Sequence, residues 1–374
     1  MAIVAMAAAK VGRAPTLPVS EAEGSSRSSR RVHANSFTAI TIAASLLVAF
    51  RHGVILLGPD RETQLLLPFV IPLGIFILFA VSGYLLVGSW DRRPSLAQFT
   101  LARVVRIFPA LVVIVLLTVF VLGLALTELD HWDYLGSATT AEYLLNMLLN
   151  PHYALPGVFM ENEVSQAVNG TLWSLPAQFT CFFFVPLVAI ARVRWVRAGI
   201  WIALAVAAAS ISASTWAAET IVWGSQVSQG LNVWPSFFVA AAIATVRLRP
   251  PPALTAVAIV GFGAIVFCAP SALPVGYWLL VPLATVGLGS FDIRGVRSAG
   301  RWGNPSYGVF LVGFPVQQAL LHLWPDLNAW LSVSMTLLVS LTYGYASNRL
   351  LERRIERFSR VCITRPLPVA TRTP

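Results

Sequence analysis

Charged residues are scarce in this chain. Only 11% of its 374 residues are charged, 57% are hydrophobic, and the mean hydropathy is +0.73. A soluble domain of this size carries more charge and interrupts its apolar runs more often. The composition therefore excludes an ordinary soluble protein and indicates a polytopic membrane protein. The same reading accounts for the net charge of +10 without nucleic acid as a partner, because cytoplasmic loops of membrane proteins are rich in basic residues.

Cysteine is also rare, and it is dispersed. The three cysteines, Cys181, Cys268 and Cys362, lie far apart and in no metal-ligand spacing, so neither a disulfide framework nor a bound metal is expected. They are interpreted as apolar filling. No internal repeat with a period of about 20 to 50 residues stands out either.

Long apolar runs are abundant. Runs of roughly 17 to 27 residues, bounded by charge or by Pro and Gly, predict an all-α membrane protein with about ten transmembrane helices. The predicted spans are roughly 37–57, 66–89, 101–127, 171–191, 198–216, 230–246, 253–269, 274–290, 303–323 and 327–349.

The basic residues predict the orientation. With both termini in the cytoplasm, only Arg51 and Arg61 of the 26 basic residues would lie outside, which satisfies the positive-inside rule. Residues 1–35 are predicted to be a disordered basic tail rather than a signal peptide, residues 36–356 the membrane domain, and residues 357–374 a cytoplasmic C-terminal tail.

His52 is the first candidate for chemistry. It lies about three quarters along the first predicted span, where a histidine is costly unless it faces a polar cavity or a partner. The neighbouring Arg51 disfavours the imidazolium, so a neutral His52 could accept a proton from an alcohol. The alternative is an interfacial histidine at a helix end. Thr41 and Ser45 share nearly the same face. Such a polar stripe suggests a lined cavity, but interhelical contacts are the favoured interpretation.

Two arginines follow the second span. Arg103 and Arg106 lie three residues apart, on one face of the third predicted span, where two guanidinium groups can clamp phosphates. Binding of lipid head groups by the two arginines is an alternative of equal weight. Further small and polar residues lie at the ends of spans two, four and nine, where they line a pocket or bundle helices: Ser82, Gly83, Asn169, Trp173, Ser174, Gln178, Ser306, Tyr307, Gln317 and Gln318.

Together these segments resemble the acyltransferase 3 family of polytopic membrane O-acyltransferases, which includes O-antigen and nodulation-factor acetylases. The resemblance runs from about Asn35 to Glu356 and rests on five stretches in order: TIAASLLVAFRHG, GIFILFAVSGYLLVGSW with FTLARVVRIFPAL, NGTLWSLPAQF, NPSYGVFLVGFPVQQ and RLLER.

The resemblance implies a role for each matching residue. His52 matches the family's catalytic histidine, and Arg103 and Arg106 match the arginine pair thought to bind cytoplasmic acyl-CoA. The implied reaction moves an acetyl or other acyl group from acyl-CoA, a co-substrate and not a bound cofactor, to a hydroxyl of an extracytoplasmic glycan or glycolipid, at a bacterial inner membrane. The substrate channel is implied by matches to three motifs: Ser82, Gly83 and Tyr84; Trp173, Ser174 and Gln178; and Ser306 and Tyr307.

Three positions depart from the family pattern. Thr41 stands where the family usually has arginine, Gln178 where it has glutamate, and Asn304 where relatives often have aspartate. A catalytically impaired member is therefore one alternative. A transporter or glycolipid translocase is another, although the chain shows no plainly buried carboxylate within its spans and no internal repeat.

Overall fold

The computed structural model describes residues 20–58, 72–164, 166–291, 296 and 299–357, with side chains from Ser36 onward. Within these residues nearly all regular structure is helical, as the apolar runs predict. The helices are α1 (Ser20–Leu56), α2 (Leu73–Arg92), α3 (Leu96–Leu126), α4 (His131–Gly136), α5 (Ala138–Tyr143), α6 (Ser174–Val188), α7 (Arg194–Ser212), α8 (Thr215–Glu219), α9 (Val227–Thr245), α10 (Pro252–Cys268), α11 (Pro270–Ser290), α12 (Ser306–Leu323) and α13 (Ala329–Ser347). Two short strands, β1 (Ile221–Val222) and β2 (Ser225–Gln226), pair antiparallel.

A helix lies at each of the ten predicted positions. Among the described helices, six are long and apolar enough to cross a membrane: α1 from Ser36, α2, α3, α7, α9 and α11. The apolar helices α6 and α10 are shorter, and α12 and α13 are not among the six. The number of ten spans and the cytoplasmic location of the termini therefore stay predictions.

The tails predicted from the sequence fall largely outside the described residues. Helix α1 begins at Ser20, within residues 1–35, which are predicted from the sequence to be a disordered tail. Residues 1–19 and 358–374 are not described, and neither are Arg61 and Cys362. The three domain boundaries stay predictions.

Two apolar cores meet beside α1. One core joins α2, α6, α7, α9 and α11, and the other joins α3, α12 and the connection between α3 and α6. Ile75 of α2 packs against both cores. Helix α1 contacts α2, α11, α12 and α13, so it runs along the seam between the cores. Side chains on the inner face of α1 therefore border any cavity between the two cores.

The connection between α3 and α6 is anchored by buried polar groups. The Tyr134 hydroxyl donates a hydrogen bond to the Val119 carbonyl (2.9 Å), in a π-helical turn of α3 over Thr118–Gly123. Burial raises the pKa of Tyr134 to about 12, so the phenol keeps the proton that it donates at neutral pH. A Cβ at Gly123 would collide with this hydroxyl, which explains the glycine in the turn.

Candidate active site

One face of α1 carries polar side chains along several turns. Thr41, Ser45 and His52 recur at helical spacing, with Val48 between the last two. Thr41 and Ser45 line one cavity of the protein, and His52 lines a second. Interhelical contacts are the favoured prediction for Thr41 and Ser45, and in the structure both also form part of a cavity wall.

The His52 cavity has a volume of about 280 Å³ and lies between α1, α2, α6 and α9. Its walls combine apolar side chains with a few polar ones, the usual composition of a small-molecule site. The polar and charged side chains that line it are Arg51, His52, Thr171, Ser174, Gln229 and Asn232, and the indole of Trp173 completes the set.

The arginine cavity is larger, about 530 Å³, and lies between α1, α2, α3, α6 and the start of α12. Its charged lining residues are Arg92, Arg103 and Arg106, and no Asp or Glu appears among the described residues that line it. A cavity with this charge balance favours an anionic ligand. Its polar lining residues are Thr38, Thr41, Ser45, Ser82, Ser89, Ser174, Gln178, Asn304, Ser306 and Tyr307.

The two cavities share a wall. Ile75 of α2, Ser174 of α6 and Phe310 of α12 line both of them. Ser174 is the smallest of the three, is buried, and donates a hydrogen bond to the Thr171 carbonyl (3.1 Å). The histidine and the arginine pair therefore lie in adjacent cavities that have these three side chains in common.

His52 is held by packing. Its imidazole contacts the ring of Phe314 edge to face, with ring centroids 5.3 Å apart. On the next residue, Gly53, an added Cβ would lie 3.3 Å from the Gln317 amide oxygen and 3.2 Å from Val333, so α1 fits closely against α12 and α13. His52 is half-buried and lines the cavity, as required of a residue that reaches a bound alcohol.

Arg103 and Arg106 are held differently. Arg103 is buried, lies over the ring of Phe99 (3.6 Å from guanidinium carbon to centroid), and donates to the Phe99 carbonyl at 2.8 Å. Arg106 is half-exposed and pairs with Glu356 at 3.8 Å. One guanidinium is thus preorganised, while the other can exchange its carboxylate partner for a ligand phosphate.

The three positions that depart from the family pattern are all partnered. The Asn304 side-chain amide donates to the Thr41 hydroxyl (3.3 Å), and the Gln178 amide donates to the Ser82 hydroxyl (3.0 Å). All four side chains line the arginine cavity. Neutral hydrogen bonds here connect helices where charges are expected from the family.

Several amides serve packing alone. Gln317 is buried and bonds to Ser332 (2.8 Å) and Thr336 (2.6 Å) of α13, and Gln318 donates to the carbonyls of Val164 (2.8 Å) and Ala167 (2.7 Å). The buried Asn169 amide donates to the Leu311 carbonyl (2.9 Å). Gln317 thus joins α12 to α13, whereas Gln318 and Asn169 join α12 to the connection between α3 and α6. Tyr307 combines both roles, because its hydroxyl donates to the Ile107 carbonyl (3.0 Å) while it lines the arginine cavity.

Gly83 and Tyr84 lie outside both cavities. Tyr84 stacks on Phe37, with ring centroids 5.3 Å apart. Gly83 is buried, and a Cβ there would collide with the backbone carbonyl of Phe237, so α2 and α9 touch directly at this point. In this structure the predicted channel residues that border a cavity are Ser82, Trp173, Ser174, Gln178, Ser306 and Tyr307.

We expect Gly83→Ala to destabilise the protein by about 1–3 kcal/mol, because the new methyl group would push α2 from α9. Gly88→Ala on the same helix is the control: its Cβ would meet only the end of Arg92, at 3.4 Å, and alanine is the better helix former. Thermal unfolding of both variants in the same detergent measures the difference. Equal melting temperatures would show that the helices do not touch there.

Three lining residues with charged or amide side chains were not predicted as site residues. Gln229 and Asn232 of α9 line the His52 cavity, and Arg92 at the end of α2 lines the arginine cavity. The signal for the first two was present, since two amides one turn apart open an apolar helix. Arg92 was assigned only to the cytoplasmic charge bias, which its position at the end of a span fits equally well.

Comparison with known proteins places the chain among acyltransferases. The family profile described as "Acyltransferase domain" matches residues 38–347, most of the chain. An O-acetyl transferase of Shigella phage Sf6 is 25% identical over 328 residues, covering 86% of this chain and 95% of that protein. Nodulation protein 10 of Rhizobium leguminosarum bv. viciae is 30% identical over 194 residues, covering 48% of this chain and 50% of that protein. No solved structure matches the chain significantly.

Proposed function

The chain belongs to the acyltransferase 3 family and transfers acyl groups, and from that premise we propose that it moves an acyl group from acyl-CoA to a hydroxyl of a glycan or glycolipid. Acyl-CoA occupies the arginine cavity, and the acceptor occupies the His52 cavity. The observation that carries the proposal is the shared wall of Ile75, Ser174 and Phe310 between the two.

The arginine cavity supports an acyl-CoA donor by charge and by size. Three guanidinium groups line it without a carboxylate among the described lining residues, so it favours the phosphates of coenzyme A. Its volume of about 530 Å³ falls within the range of about 300–1,000 Å³ that is typical of small-molecule sites. The pantetheine arm and its thioester then extend towards Ser174.

His52 acts as a general base on the acceptor. Its imidazole takes the proton of an acceptor hydroxyl while that oxygen attacks the thioester carbonyl carbon and forms the new ester bond. The carbon–sulfur bond breaks, the electron pair leaves with sulfur, and the proton on the imidazole passes to the departing thiolate as free coenzyme A. Because both substrates are bound on either side of one wall, the chemical step no longer carries the entropy cost of a bimolecular encounter.

The hydrogen bonds at the positions that depart from the family pattern support an intact site. Thr41 with Asn304, and Gln178 with Ser82, keep four polar side chains of the arginine cavity satisfied without an unpaired charge. An active enzyme, rather than a catalytically impaired member, is therefore proposed. The positive-inside bias of the sequence supports a multi-pass location in a bacterial inner membrane, with the donor on the cytoplasmic side.

Mass spectrometry of surface glycans tests the proposal. Cells with the wild-type gene, a deletion and a His52→Ala gene at equal protein level are compared. The expected result is loss of one fixed acyl mass from the same glycan in both mutants. A deletion that alters glycan export while His52→Ala behaves as wild type would favour a translocase instead.

The shared wall gives a second prediction. Ser174→Leu is expected to reduce transfer by roughly 100-fold while coenzyme A binding persists, because a larger side chain between the cavities separates the reacting groups. Thr180→Leu on the same helix is the control, since Thr180 is exposed and borders neither cavity. Initial rates with acetyl-CoA and calorimetric titration of coenzyme A are measured. Full activity of Ser174→Leu would exclude transfer through this wall.

A further inference from the structure

Arg51 lines the His52 cavity, next to the histidine in sequence. Its side chain is half-buried, and its Nε is fully buried without a hydrogen-bond partner. Neither of the ion pairs that the structure describes includes Arg51, and no Asp or Glu is among the described residues that line this cavity. The guanidinium therefore has its charge and at least one donor unmatched by the surrounding described protein.

A second buried donor without a hydrogen-bond partner is the Tyr277 hydroxyl of α11, a helix that packs against α1. This hydroxyl interacts electrostatically with the Arg51 guanidinium. The ring of Tyr277 stacks on Phe76, which lines the cavity, with centroids 4.3 Å apart and the planes nearly parallel. Buried donors without acceptors are costly, so an unpartnered guanidinium donor beside a cavity indicates that a hydrogen-bond acceptor binds there.

The charge on Arg51 indicates which kind of hydrogen-bond acceptor binds there. A cation in a spanning helix is disfavoured unless it serves a ligand or a partner. The guanidinium presents a planar fork of donors that matches a carboxylate or a phosphate. The amides of Gln229 and Asn232 and the indole of Trp173 line the same cavity and suit the hydroxyls and ring of a sugar.

We propose that the acyl acceptor is an anionic glycan whose carboxylate or phosphate binds Arg51, which brings a neighbouring hydroxyl of the same sugar to His52. This inference rests on the proposed function and adds the acceptor's charge to it. Because Arg51 and His52 are consecutive on one helix, the anion and the reacting hydroxyl belong to one sugar unit or to two that are directly linked. Arg51 is thus a specificity-determining residue for this acceptor class.

The test measures binding of simple sugars to purified protein in phosphatidylcholine nanodiscs, which carry no net-anionic lipid. The probes are methyl glucuronide, glucose 1-phosphate and the neutral methyl glucoside, with coenzyme A titrated separately. The variants are Arg51→Gln, Arg51→Lys and, as a matched control, Arg249→Gln, an exposed arginine that lines neither cavity.

The wild type and Arg249→Gln are expected to bind an anionic probe about 10- to 100-fold more tightly than methyl glucoside. Arg51→Gln should lose that preference, Arg51→Lys should keep part of it, and both should bind coenzyme A as the wild type does. The probe that is preferred tells a sugar carboxylate from a sugar phosphate. Equal binding of charged and neutral probes, or an unchanged preference in Arg51→Gln, would overturn the inference. Failure of the wild type to bind coenzyme A would instead overturn the proposed function.

Discussion

His52→Gln is expected to lower acyl transfer by about 10²- to 10⁴-fold, the usual contribution of a general base. The imidazole borders the acceptor cavity and, unlike the neighbouring Arg51 guanidinium, can take up a proton at neutral pH. Glutamine fills much of the same space and can still contact Phe314, but it cannot take a proton. The expected loss is therefore in turnover and not in binding.

The measurement uses purified protein in nanodiscs with radiolabelled acetyl-CoA and the glycan that loses its acyl mass in the deletion strain. Coenzyme A affinity and melting temperature are recorded for each variant, so that unfolding is recognised. His322→Gln is the matched control: this histidine lies in the last turn of α12, contacts the ring of Phe159 and lines neither cavity. Comparable activity of the two variants would remove His52 from the mechanism.

Arg103→Gln and Arg106→Gln are each expected to weaken acyl-CoA binding by about 10- to 100-fold, since a hydrogen bond to a charged group contributes about 1.5–3 kcal/mol. The effect of Arg103→Gln should be the larger, because this guanidinium is buried and already oriented by Phe99. Arg106 is half-exposed and must first leave Glu356, so part of its contribution is offset.

A donor without phosphates separates the proposed role from general damage. S-acetylpantetheine carries the thioester arm of acetyl-CoA alone, so its kcat/KM should be equal in wild type and both variants. Arg194→Gln is the control for loss of surface charge, since Arg194 is exposed on α7 beside Trp195. If both variants lost activity equally with acetyl-CoA and with S-acetylpantetheine, the arginine pair would not be the phosphate site.

Most helices of this protein could be predicted from the sequence, because each is a local apolar run. The family resemblance could be recognised in the sequence because its motifs are short and local, and the family profile confirmed it. The hydrogen bond between Thr41 and Asn304 could not be predicted, because 263 residues separate them and their contact depends on how α1 packs near the start of α12. The contact of Gly83 with the α9 backbone could not be predicted either, because it depends on how α2 packs against α9, while the family motif implies a channel position for this residue.

The amino-acid sequence by itself determined that this is a helical membrane protein with polar side chains recurring on one face of its first span. Hydrophobic length and helical period are properties of a single segment, so they can be read without a structure. Only the tertiary structure decided that this face borders two adjacent cavities, and that Gln229 and Asn232 lie around the same space as His52. A cavity is the space that side chains from several helices leave unfilled, and it exists only once those helices have packed.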